Sequence, residues 1–256
     1  MGTALAGGAI RAGVVAPEEV TGTDPQEEAC RRFREVTGAR TTRDIAGLRN
    51  CDTFLLCTKP QHAIDALRVL RDTRGDLGGL LISVAAGVTM QSIEQAASPG
   101  WRVIRCMPNT PALIGKGAAA FCAGTSATRG DAATAQRLLG AVGTALEVPE
   151  PWMDAVTGLS GSGPAFAYLF IESLAKGGEQ NGLPPAEALA LAAQTVLGAA
   201  AMVIETGQSP AALRDMVTSP GGTTLAGLAE LERHGMKQAV IHAVNAATKR
   251  SAELGR

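Results

Sequence analysis

The chain has 256 residues, with 23 Lys and Arg against 24 Asp and Glu and a formal net charge of −1. That length suits one large or two modest domains, and two is the better expectation. The near balance of charge excludes a sequence-wide field that would gather phosphate backbones or anionic lipid, so neither nucleic acid nor a membrane is expected as a partner.

The first residues, Met1-Gly2-Thr3-Ala4-Leu5-Ala6-Gly7-Gly8, carry neither a charged start nor a long apolar core. No signal peptide is therefore read, and the chain is expected to be cytoplasmic. The same residues read as a helix entered through the last glycine of a Gly-x-Gly-x-x-Gly turn, with Gly2 in that place. The expectation is that Met1 is an internal methionine and that the natural start lies roughly ten to fifteen residues upstream, room for a strand and the rest of the turn.

Short apolar runs then alternate with helical spacing. Strands are expected at Val20–Thr23, Phe54–Cys57, Leu80–Val84, Arg102–Cys106, Ala118–Cys122 and Ala145–Val148. Helices are expected at Pro25–Thr37, His62–Arg71, Met90–Ala97 and Asp131–Val142. Such alternation predicts a parallel sheet covered on both faces, a doubly wound, Rossmann-like nucleotide-binding domain over residues 1–150. Nucleotides bind beyond the carboxyl ends of such strands.

After Pro149-Glu150-Pro151 the strand signal stops, and residues 151–256 read as an all-α domain. Gly182, Pro184-Pro185, Gly207, Ser209-Pro210 and Gly235 punctuate it as helix ends and starts. The stretch from Ala186 to Ile204 is apolar on nearly every face, yet Gln194 and Thr195 interrupt it and no Lys or Arg cluster flanks it, against a membrane span. A helix apolar all round needs burial, and the small helices around it supply too little, so a homodimer through this domain is expected.

Five cysteines, Cys30, Cys51, Cys57, Cys106 and Cys122, form no Cys-x-x-Cys pair and read as small apolar residues of a reducing compartment. Three histidines, His62, His234 and His242, lack metal-ligand spacing, so no metal is expected.

In the second half, Ser219-Pro220-Gly221-Gly222-Thr223-Thr224 stands out. Proline sets a rigid turn, the glycines leave N–H groups uncovered, and Thr223-Thr224 open a helix whose N-terminus favours an anion such as a substrate carboxylate. The same residues would also serve a plain helix cap.

That run, together with Ala155-Val156-Thr157-Gly158-Leu159-Ser160-Gly161-Ser162-Gly163-Pro164-Ala165-Phe166, resembles pyrroline-5-carboxylate reductase. Cys57-Thr58-Lys59-Pro60, Ser83-Val84-Ala85-Ala86-Gly87-Val88-Thr89 and Arg105-Cys106-Met107-Pro108-Asn109-Thr110-Pro111 support the resemblance, which covers essentially the whole chain. It implies hydride transfer from NADH or NADPH to the cyclic imine of 1-pyrroline-5-carboxylate, giving L-proline. It further implies that Ser219, Gly221, Gly222, Thr223 and Thr224 bind the substrate, with the Thr224 hydroxyl near the ring nitrogen and Ser219 a donor. Thr58, Lys59, Pro60, Ala85 and Asn109, with Gly2, would line the nucleotide cleft. The family often builds rings of dimers.

Asp24 follows the second strand of the fold plan, and Asp44 occupies a similar place further on, where some relatives carry small polar residues for the 2′-phosphate of NADPH. Two acids there favour a free ribose hydroxyl and repel a phosphate, so NADH is the expected lean. Two alternatives stay open: a poorly active, N-terminally truncated dimerising protein of this fold, and a 3-hydroxyacid-type dehydrogenase. The Ser-Pro-Gly-Gly-Thr-Thr run speaks against the latter.

Overall fold

A computed structural model describes residues 1–97 and 99–255. They form two compact units, Met1–Ser162 joined by the stretch from Asn245 onward, and Gly163–Val244. The expected division after residue 150 differs from these units at both ends. Met153, just past the Pro-Glu-Pro turn, is buried in the core of the first unit, and the end of the chain returns to that unit.

The first unit opens with α1 (Gly2–Arg11), followed by β1 (Thr21–Thr23), α2 (Glu27–Thr37) and β2 (Arg40–Thr42). Then come β3 (Thr53–Leu56), α3 (Pro60–Arg74), β4 (Gly79–Ser83), α4 (Met90–Ala97) and β5 (Trp101–Met107). It continues with β6 (Gly117–Ala123), α5 (Arg129–Gly140), β7 (Gly143–Glu147) and α6 (Met153–Val156), which runs into a π-turn at Thr157–Gly161. The strands fall into a two-stranded sheet, β1-β2, and a five-stranded sheet in the order β3-β4-β5-β6-β7.

The sheet is parallel at every pairing except β5 with β6, which is antiparallel. The expected parallel sheet is present, with one antiparallel step where β6 joins β5. A parallel neighbour needs a crossover, usually a helix, whereas β5 and β6 are linked only by a short turn around Thr110–Ile114.

Alternation along β4 explains the two-sided core. Leu81 faces a layer with Leu67 of α3 and Ile93 of α4, while Leu80 and Ile82 face Leu5 of α1 and Leu139 of α5. All of β4 is buried, as expected for a strand covered on both faces. Strand β2 has no apolar run and was invisible to periodicity.

At the start of α5, Thr128 and Asp131 form a capping box, and Arg102 bonds the Asp131 carboxylate at 3.0 Å. Burial pushes the Asp131 pKa upward, but the hydrogen bonds from the Thr128 hydroxyl and amide and from Arg102 outweigh it and hold it below the usual range. A carboxylate with a depressed folded-state pKa stabilises at neutral pH, and that contribution is lost as pH falls through the folded value. Asp131→Asn is therefore expected to cost about 1 kcal/mol at pH 7, a typical capping loss. The gap to the parent should close in urea melts taken below the ordinary carboxylate range, and a gap independent of pH would refute the assignment.

The second unit holds α7 (Gly163–Gln180), α8 (Pro185–Thr206), α9 (Pro210–Met216) and α10 (Thr223–Arg233). It also holds the first part of α11 (Met236–Leu254), whose remainder belongs to the first unit. The expected punctuation is in place: Pro185 opens α8, Gly207 ends it in the left-handed conformation, and the Ser209 hydroxyl caps α9. The buried core of this unit is small, Ala175, Ala188 and Ala192 with Ile171 against it. Along α8, Leu189, Leu197 and Ile204 are exposed, Ile204 to 80%. The helix is long and apolar enough to cross a bilayer by length and composition, yet little of it is covered within one chain.

Candidate active site

Parallel pairing of β3, β4 and β5 sends their carboxyl ends to one edge, and Thr58, Lys59, Ala85 and Asn109 follow those ends. Lys59 is exposed and takes the N-cap position of α3, with Pro60 as its first residue. Ala85 is buried in the turn after β4, where its carbonyl accepts from the Val88 amide. Thr58 Oγ1 is the buried side-chain oxygen or nitrogen that lacks a hydrogen-bond partner among the described residues. Buried polar atoms are nearly always paired, so an unpaired hydroxyl at the carboxyl edge fits a site completed by a ligand.

Gly2 begins α1 beside Cys57, where an added Cβ would come within 3.3 Å of the cysteine Cβ. Close helix–strand packing is what the last glycine of a dinucleotide turn provides. The first turn of α1 carries no acidic side chain that would compete with an anion for its positive pole. Asp24 and Asp44 follow the parallel pair β1 and β2. One oxygen of each accepts a nearby backbone N–H at 2.9 Å, from Gln26 and Ala46. Arg43, next to Asp44, donates to the Pro25 carbonyl at 3.3 Å.

Asn109 is more committed than the sequence implies. It is buried, its Nδ2 donates to the Ser160 carbonyl at 3.0 Å, and its Oδ1 accepts from the Ala118 amide at 2.9 Å. It thus ties the end of β5 to β6 and to the π-turn. In that turn the Thr157 and Ser160 hydroxyls bond back to the carbonyls of Met153 and Val156, which takes Ser160 away from donation outward.

In the second unit the Ser219–Thr224 run is a tight turn into α10. Gly221 has φ +71, the Gly222 amide donates to the Ser219 carbonyl at 3.0 Å, and Gly222 is the N-cap. The hydroxyls are distributed unevenly. Ser173, Thr195, Thr206 and Thr218 donate to carbonyls one turn back, and Ser209 accepts from the Ala212 amide. Those of Ser219, Thr223 and Thr224 have no protein partner among the described residues. Free hydroxyls and N–H groups gathered at one helix N-terminus suit a carboxylate.

Cysteine chemistry is quiet. Burial pushes the Cys57 and Cys122 thiols up to about 11 and raises that of Cys106 well above its ordinary value, so all three are neutral near pH 7. Taken as whole residues, Cys30, Cys106 and Cys122 are buried, whereas Cys51 and Cys57 keep part of their surface open. Among the described residues no cluster of three or more His, Cys, Asp or Glu could hold a metal ion.

A polar frame that no local sequence pattern marks as a whole joins β5, α4 and the segment after β7. Glu150 Oε1 bonds Arg105 at 3.0 Å and the Met90 amide at 2.7 Å, and Ser251 donates to Asp154 at 2.7 Å. Only the proline-flanked position of Glu150 offered a signal.

A doubly wound unit of the nucleotide-binding kind followed by a helical unit with a glycine-rich turn and an uncovered apolar helix is the architecture of a class, the nicotinamide-dependent oxidoreductases that assemble through the second unit. Residues 150–254 match the family model of pyrroline-5-carboxylate reductase dimerisation, and residues 1–87 match that of NADP oxidoreductase, coenzyme F420-dependent. The chain is 45% identical to a pyrroline-5-carboxylate reductase of Methanosarcina acetivorans over 100% of this chain and 95% of the relative. It is 42% identical to that of Arabidopsis thaliana over 99% and 92%. Among solved structures, the enzyme from Coxiella burnetii superposes with a TM-score of 0.93 at 35% identity, covering 100% of this chain and 95% of the other. The Plasmodium falciparum enzyme with NADP bound gives 0.88 at 32% identity, with the same coverage.

The chain belongs to the pyrroline-5-carboxylate reductase family. It is an NAD(P)H-dependent reductase of proline biosynthesis, and its dimerisation domain makes it a homo-oligomer.

Proposed function

We propose that residues 1–150 carry the nucleotide and residues 151–256 the substrate, with Ser219, Gly221, Gly222, Thr223 and Thr224 as the carboxylate cradle. The observation that carries this reading is the set of three uncommitted hydroxyls at the N-terminus of α10, in a unit whose other Ser and Thr side chains are all engaged. A bound reduced nicotinamide supplies hydride to the C=N carbon. The chain's own part is placement. The loop amides and Ser219 hold the carboxylate, and the Thr224 hydroxyl orients the ring nitrogen, which, protonated in the iminium, takes up the C=N π pair as hydride adds to carbon and stays in the ring as the secondary amine of proline. An iminium accepts hydride without a strong base, so neither a catalytic His nor a metal is required.

On the nucleotide side, Gly2, Thr58, Lys59, Pro60 and Ala85 face the cofactor in this reading. Asn109 lines the cleft while anchoring it. Asp24 and Asp44 give the lean toward NADH, since each adds negative charge where a 2′-phosphate would lie. Arg43 favours a second reading, NADPH, because its guanidinium is drawn to the Pro25 carbonyl beside Asp24. The double variant Asp24→Ser, Asp44→Asn keeps both turn acceptors and removes both charges. It is expected to shift the NADPH-to-NADH ratio of kcat/KM toward NADPH by about ten- to hundredfold. Parent enzyme that already prefers NADPH, with the preference lost in Arg43→Ala, would establish the second reading instead. The assembly is read as a homodimer, extendable to a ring of dimers, cytoplasmic and independent of nucleic acid and membrane.

A further inference from the structure

The turn that carries Ala85 is held from behind by the far end of the chain. Gly87 has φ +75 and is buried, and the atoms covering it belong to the last turn of α11: an added Cβ would lie 3.0 Å from Leu254 Cβ. On the other side of this contact, a Cβ on Gly255 would come within 2.7 Å of the Gly87 carbonyl oxygen and 3.3 Å of Thr89 Cγ2. The two glycines therefore approach closely: a Cβ on Gly255 would have no room against the Gly87 carbonyl, one on Gly87 would press on Leu254, and at Gly87 the left-handed backbone adds a second reason for glycine.

The last turn of α11 is itself pinned. Ser251, only 3% exposed, donates to Asp154 Oδ1 at 2.7 Å. Asp154 neighbours Met153, which is seated in the sheet core, so the anchor is rigid. Immediately after the turn, α4 is fastened by Glu150 at the Met90 amide and by the Thr89 hydroxyl at the Ser92 amide. The Ala85–Thr89 segment is thus fixed on its downstream flank by α4 and from behind by α11.

We propose that the last turn of α11 and the residue after it, through Ser251, Leu254 and Gly255, are a positioning brace for the Ala85–Thr89 turn and so set the nucleotide affinity of a cleft they do not line. The inference rests on the reading above that this turn faces the cofactor. Preorganised binding loops gain affinity by avoiding the ordering cost on association, and a brace on a turn of five residues acts in that way. The brace lies on a helix whose first residue, Met236, belongs to the second unit.

Two variants disturb the brace independently: Ser251→Ala removes the pin, and Gly255→Val pushes the turn of helix away. Hydrogen exchange across residues 84–90 reports the brace itself, and titration with reduced nucleotide reports its consequence. Both variants are expected to speed exchange in that segment and to raise the nucleotide Kd and KM about three- to tenfold, the factor that one net hydrogen bond corresponds to. The KM for pyrroline-5-carboxylate should stay unchanged. Unaltered exchange in both variants overturns the brace. Faster exchange with an unaltered Kd also overturns it if Ala85→Leu weakens nucleotide binding. If Ala85→Leu leaves the Kd unaltered as well, the cofactor reading of the turn is what fails, and the inference falls with it.

Discussion

Alanine at Gly222 is expected to lower kcat/KM for pyrroline-5-carboxylate by about ten- to hundredfold, the loss that follows when a charge-assisted hydrogen bond is removed. The reason is local. A Cβ on Gly222 would stand 2.4 Å from Ser219 Oγ and 3.1 Å from the Ser219 carbonyl oxygen. Gly222 has φ −78 and ψ 166, which alanine adopts without strain, so the helix itself is not at risk. What must move is the Ser219 hydroxyl, one of the three proposed to meet the substrate. The thermal midpoint should stay within a degree or two of the parent, because a surface turn with no buried contact is altered. Ser219→Ala supplies the control: if the hydroxyl is the casualty, the double variant Ser219→Ala, Gly222→Ala should be no worse than the single glycine variant. Undiminished kcat/KM in Gly222→Ala would mean that the turn is a helix cap only.

Residue patterns carried the architecture further than they carried the site. The strands expected at 54–57, 80–84, 102–106, 118–122 and 145–148 each overlap an observed strand; the signal is strongest at β4, which is buried on both faces and reads as a run of Leu and Ile, and weakest at β7, where Ala145 alone is buried. Arg40–Thr42 escaped because three polar residues at a sheet edge bury nothing that a pattern could register. The antiparallel step at β6 was legible in principle, since no helix-like stretch separates 106 from 118. The site divides in the same manner. Local signals such as Pro220 and the paired glycines are written in consecutive residues and fold as expected into the start of α10. The polar frame around Arg105, Glu150, Asp154 and Ser251 joins residues up to 97 positions apart. No spacing rule reaches across that distance. Asn109 shows a further limit: the motif marks it for the cofactor cleft, but only coordinates reveal that both ends of its amide are already engaged.

Removing Glu150 should be the most damaging change to stability in this frame, and more damaging than removing its partner. Arg105 is 7% exposed in its side chain and Glu150 38%. Glu150→Ala strands a buried guanidinium and also uncaps the Met90 amide at the start of α4, two losses from one truncation. Water can reach the carboxylate side of the pair and temper the first loss, so the expected cost is about 2–4 kcal/mol rather than the upper range for fully buried pairs. Arg105→Met leaves a different balance. The methionine stem fills the volume of the arginine stem, and Glu150, half open to solvent, keeps its bond to Met90. About 1 kcal/mol is expected there, in the range of volume-conserving exchanges. The order of the two separates a frame built to hold α4 from one built merely to neutralise a charge, because neutralisation alone would penalise the loss of the arginine as heavily. Urea midpoints at constant m-value measure both. Equal costs, or a larger one for Arg105→Met, would show that the Met90 bond contributes little. Pro149 and Pro151 on either side of Glu150 restrict the unfolded chain at that turn, which lowers the entropic cost of placing the carboxylate.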